Sequence, residues 1–76
     1  MTNLDKMTPG QKGRVLGFTV DNPIARRLIE LGLVPGRSVL YLRHAPLRDP
    51  LEFQIGDSFL SLRRAEASLV NIEIED

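Results

Sequence analysis

Few residues in this 76-residue chain are equipped for chemistry. There is one histidine, His44, and no cysteine. Thiolate nucleophiles, thiolate zinc sites, iron–sulfur ligation and disulfides are therefore excluded. Serines stand at positions 38, 58, 61 and 68. None sits in a glycine-flanked nucleophile elbow, and His44 belongs to the proline-bounded segment 43–50, so no catalytic residue is assigned. Gly10, Gly13 and Gly17 form a glycine-rich stretch. No Gly–Lys–Ser/Thr follows it, and a strand pattern rather than a helix comes next, so it is not a phosphate loop. His44, Asp49 and Glu52 fall within nine positions. An imidazole with two carboxylates is a donor set for ferrous or manganous ion. Paired-ligand spacing is missing, which favours solvated loop side chains over a built site. No resident cofactor is expected, and any ferrous or other divalent ion would be held weakly by those three.

The arginines are the other reactive class: Arg26–Arg27, Arg43, Arg48 and Arg63–Arg64. Ten basic residues balance ten acidic ones, and aromatics make up 5%. Nucleic-acid sites combine excess positive charge with exposed stacking rings. No nucleic-acid partner is expected, although a small RNA-binding barrel is kept as an alternative. What remains is a module that binds protein.

The elements that must position these residues are short. Residues 1–7 are polar and read as a frayed end, and Pro9–Gly10 marks a turn. From Gly13 to Val20 the pattern alternates, with Leu16, Phe18 and Val20 on one face and Val15, Gly17 and Thr19 on the other. Gly17 would permit a bend or close packing. The one helix spans 23–31. Asn22 caps it, Pro23 takes the first position, and Gly32 ends it in a left-handed conformation with Leu33 folding back on Leu28. Ile24, Leu28 and Leu31 form its inner stripe; Arg26, Arg27 and Glu30 lie opposite. Val34–Arg37 suits a type II turn.

Strands follow at Ser38–Arg43, 51–55, Ser58–Arg63 and 70–75, with a two-residue turn at Gly56–Asp57 and one helical turn at Arg64–Ala67. Phe53, Ile55, Leu60, Leu62, Val70, Ile72 and Ile74 complete the expected core. The fold class is mainly β: a small five-stranded barrel with one α-helix inserted after the first strand. A single domain covers 1–76, with its core at about 10–75. No run approaches the ~20 apolar residues that span a bilayer, and the start lacks a secretory signal pattern. A cytoplasmic protein is expected, reaching a membrane only through a partner.

The run Ala25–Gly36, ARRLIELGLVPG, resembles the "RL-x-x-LG-(L/M)-x-PG" signature of the ferrous iron transport protein A family, FeoA. Ala45–Pro50, APLRDP, resembles that family's "APL-x-DP". Ser61–Ala67, SLRRAEA, resembles its "LR-x-x-(E/D)-A". The three occur in order over about residues 10–75. The resemblance implies an SH3-like barrel and a cytosolic accessory protein of the permease FeoB, which carries a GTP-binding domain, with recruitment to the inner face of the membrane. It brings no catalytic residues with it. The alternative function is a metal-sensing or metal-delivering protein using 44–52. Arg26, Arg27, Glu30, Arg43, His44, Leu47, Arg48 and Asp49 are the expected partner-binding residues, and self-association into a homo-oligomer is left open.

Overall fold

In the computed structural model, which describes residues 1–75, the alternating segments form six strands. These are β1 (Thr2–Asn3), β2 (Lys12–Phe18), β3 (Ser38–His44), β4 (Leu51–Ile55), β5 (Ser58–Leu62) and β6 (Val70–Glu75). They hydrogen-bond in the order β1–β6–β2–β3–β4–β5, every neighbouring pair antiparallel. Helix α1 (Pro23–Glu30) lies between β2 and β3, and the single-turn helix α2 (Arg64–Ala67) between β5 and β6. The mainly-β class with one inserted helix is as expected. The sheet is not closed: β1 and β5 remain its two edges.

The sixth strand corrects the reading of residues 1–7 as a frayed end. Thr2 and Asn3 pair with Ile72 and Asn71, and a 3₁₀ turn at Leu4–Lys6 follows. Leu4 and Met7 are buried. Two apolar side chains among polar neighbours suffice to anchor a segment when the open end of a small core lacks other cover.

Strand β2 holds the second correction. Its register with β6 shifts between Val15 and Gly17, so Leu16 is the extra residue of a bulge. A bulge resets the alternation. Val15 therefore points inward before it and Phe18 packs against the core after it, while Leu16 and Val20 are exposed. Gly17 has open space around its missing Cβ. Close packing falls instead at Gly13, where a Cβ would stand 2.9 Å from the Ile72 Cδ1.

Helix α1 begins as expected, with Asn22 Oδ1 accepting the Ala25 N–H at 2.8 Å. It ends in a Schellman motif, in which Leu33 N–H donates to Leu28 C=O and Gly32 N–H to Ile29 C=O, with Gly32 at φ +112°. The next turn has Gly36 at φ +91° and closes from Arg37 N–H to Val34 C=O. Only Ala25 and Leu28 of the helix are buried. Ile24 and Leu31, expected in the core, are surface residues, and Leu60 and Ile74 are half-buried. Phe53 sits at the centre of the core, tilted against Tyr41 with ring centroids 5.1 Å apart.

Candidate partner-docking surface

The loop from Ala45 to Pro50 is closed by its own backbone. Ala45 N–H donates to Pro50 C=O at 2.9 Å and Arg48 N–H to Ala45 C=O at 2.7 Å. Arg48 sits at φ +69°, a left-handed conformation that costs a non-glycine residue about 1 kcal/mol. Arg64 holds it there: its Nη2 and Nε donate to Arg48 C=O at 2.8 and 3.2 Å, and its Nη1 to Asp5 C=O at 3.1 Å. Arg64 N–H in turn donates to Asp49 Oδ1 at 2.9 Å, satisfying an amide at the start of α2. Proline content alone predicts a stiff loop; the stiffness here rests on α2.

Helix α1 is fastened to the same place. The Arg27 guanidinium pairs with Glu66, whose other carboxylate oxygen accepts the Arg63 N–H at 2.9 Å. Arg26 pairs with Asp21 at 3.0 Å in the open, which raises the Arg26 pKa through the hydrogen bond to that carboxylate. Arg26, Arg27 and Glu30 face solvent. The three sequence signatures thus meet at α2: the first through Arg27 and Glu66, the second through Asp49 and the Arg48 carbonyl on Arg64.

Of the expected loop residues, Leu47 is 90% exposed at the loop tip. Arg43 and His44 are exposed on β3, Arg43 paired with Glu52 at 2.6 Å and His44 Nδ1 lying 2.9 Å from Ala45 C=O. Asp49 is turned to Arg64 rather than outward. His44, Asp49 and Glu52 have separate partners, and no group of three or more potential ligands converges among the described residues. A groove of about 290 Å³ opens at the β2–β3–β4 side, lined in part by Lys12, Ser38, Gln54 and Glu75; His44 is not among its walls.

Reading the helix as fully amphipathic missed its flanks. Ile24 and Leu31 border the basic outer face and are 43% and 47% exposed. Their surplus is visible in sequence as an apolar stripe wider than one short helix can bury. No helix of the described residues is long and apolar enough to cross a membrane.

A FeoA-domain family model matches residues 2–74. A fusion protein of Fe(2+) transport protein A and the Fe(2+) transporter FeoB from Porphyromonas gingivalis is 39% identical over 71 residues, covering 93% of this chain. The chain spans 8% of that relative's length. The solution structure of FeoA from Chlorobium tepidum is 34% identical, with a TM-score of 0.87 over 96% of this chain and 70% of that one. The crystal structure of Stenotrophomonas maltophilia FeoA with zinc, described as a procaryotic SH3 domain protein, is 30% identical with a TM-score of 0.84, covering 96% and 91%. This chain belongs to the FeoA family of ferrous iron transport, small accessory domains with an SH3-like fold.

Proposed function

We propose that this chain is a non-enzymatic, cytoplasmic regulator that docks on the GTP-binding region of a FeoB-type permease. The outer face of α1 (Arg26, Arg27, Glu30) and the loop carrying Arg43, His44, Leu47 and Arg48 form the contact, with Asp49 holding the loop in shape. The observation that carries the reading is the relative in which the transport protein and the transporter are one chain. A covalent join makes an encounter intramolecular, which is advantageous when the two parts act on each other. The surface supports it. Leu47 stands outside a loop already ordered by hydrogen bonds, so docking loses little entropy and burial of its side chain gains about 1.5–3 kcal/mol.

The reading needs no resident metal. Ferrous ion is expected to bind the purified chain no more tightly than about millimolar, as scattered carboxylates and one imidazole allow. The test is the double variant Leu47→Ala/Arg48→Ala, first matched to wild type in thermal stability. It should lose co-purification with the transporter and lower iron uptake; wild-type levels of both would refute the loop as the docking element.

A further inference from the structure

The sheet's open edge at β5 is independent of the docking surface. The strand bonds on one side only, to β4. Its hairpin turn has Gly56 at φ +58° with Asp57 in the ordinary negative range, the type II′ pattern, so Ile55 and Ser58 close it as a hydrogen-bonded pair. Alternation along the ladder makes Phe53–Leu60 and Leu51–Leu62 hydrogen-bonded pairs as well. The amides and carbonyls of Phe59 and Ser61 are thereby turned outward. Among the described residues, no backbone hydrogen bond from a turn or loop reaches them.

Sheet edges are ordinarily blunted by proline, lysine or a bulge. Between Ser58 and Leu62 there is none of these, and Phe59 is 72% exposed. Charge is also antisymmetric about Leu60. Asp57, in the hairpin turn, lies three residues before it and Arg63, at the start of α2, three after; both are exposed and each stands one position beyond an end of the strand. Neither joins an ion pair among the described residues.

We propose that β5 is a self-association edge, at which two copies of this chain pair their β5 strands antiparallel about a two-fold axis through Leu60. In that register Phe59 faces the second copy's Ser61, and each such pair exchanges both of its N–H···O bonds. Carried one position past each end of the strand, the same register brings Asp57 beside the second copy's Arg63, twice over. The two Phe59 rings lie diagonally, within reach of each other across the seam. Edge β1 offers only Thr2 and Asn3, too short to compete. The occupant that fits is therefore a second copy, because the edge's charges complement themselves under a two-fold rotation.

The seam is a five-residue strand, well under the ~1,200 Å² of a standard interface, so the dimer exchanges with a dissociation constant of about 0.1–1 mM. Sedimentation equilibrium over about 0.05–2 mM chain, a range bracketing that constant, reads it directly. Wild type should rise toward twice the monomer mass, with the Phe59 and Ser61 amide resonances shifting over the same range. D57R and R63D each place like charges at both cross-strand positions. Each should weaken the dimer by about tenfold or more. An equal mixture of the two should recover it, since every D57R arginine then meets an R63D aspartate. Thermal melting checks that both variants fold. A wild type that stays monomeric throughout overturns the proposal. So do D57R and R63D variants that associate as wild type does, which would move the contact to another face such as β1.

Discussion

Replacing Arg64 by alanine removes a fastening that no single sequence signature reveals. The guanidinium makes three hydrogen bonds, two to Arg48 C=O and one to Asp5 C=O. It thereby ties the loop and the 3₁₀ turn to α2. A charged donor to a buried acceptor contributes about 1.5–3 kcal/mol, but these sites are partly open to water, so the whole side chain is worth about 2 kcal/mol. In a domain of this size 1 kcal/mol moves the melting temperature by about 4–8 °C, so Arg64→Ala should melt about 10 °C lower. Arg64→Lys should recover less than half of the loss, because an ammonium lacks the planar fork that reaches both carbonyls. Urea unfolding and calorimetry give both numbers. Native-state hydrogen exchange should show the Arg48 amide, bonded to Ala45, exchanging faster in the alanine variant. An Arg64→Ala protein within about 0.5 kcal/mol of wild type, the ordinary range for a surface change, would refute the fastening. So would a lysine variant as stable as the parent.

Gly32→Val should cost more than about 1 kcal/mol in urea unfolding, because a β-branched residue tolerates the left-handed helix end poorly. Gly13→Ala should cost about 1–2 kcal/mol, since its methyl would press on the fully buried Ile72; thermal melting reads the loss. The Ser38 hydroxyl, and after it Arg14, hold the Glu75 carboxyl below the usual carboxylate range. Its folded pKa being the lower one, its contribution is present above about pH 4.3 and is lost as pH falls through the folded value. Stability of wild type should accordingly fall more steeply on acidification than that of Glu75→Gln, as urea midpoints at successive pH values will show.

The helix was legible because its signals are local. Asn22 caps it, Pro23 opens it and Gly32 closes it within a dozen residues, and all three act as expected. Strands β4 and β5 were legible for the same reason, joined by a turn whose glycine dictates its type. Strand β2 was not. Which residue bulges is decided by pairing with β6, more than fifty positions away, and one inserted residue at Leu16 exchanges the inner and outer faces. The burial of Leu4 and Met7 likewise depends on a core that exists only once the sheet has formed. At the candidate site, the exposure of Arg26, Arg27 and Glu30 followed from periodicity, whereas that of Leu47 did not, because an apolar residue at a loop tip is equally able to fold back on the sheet. The inward duty of Asp49 did not, because the amide it accepts belongs to Arg64, in a different element.

The pairing of β1 with β6 bears on how this fold can be joined to other polypeptide. Thr2 lies beside Ile72, so the first residues and Glu75 are separated by about three strand positions, or ~10 Å. At the C-terminal side the last described residue, Glu75, closes β6 against Lys12 of β2. Polypeptide added at the N-terminal side must leave from β1, immediately before Leu4 enters the core. The two ends are thus unequal attachment points at nearly the same place. A larger protein carrying this domain can hold it on a short leader, with the attachment at β1 and β6 rather than at the proposed contact surfaces of α1, the loop and β5.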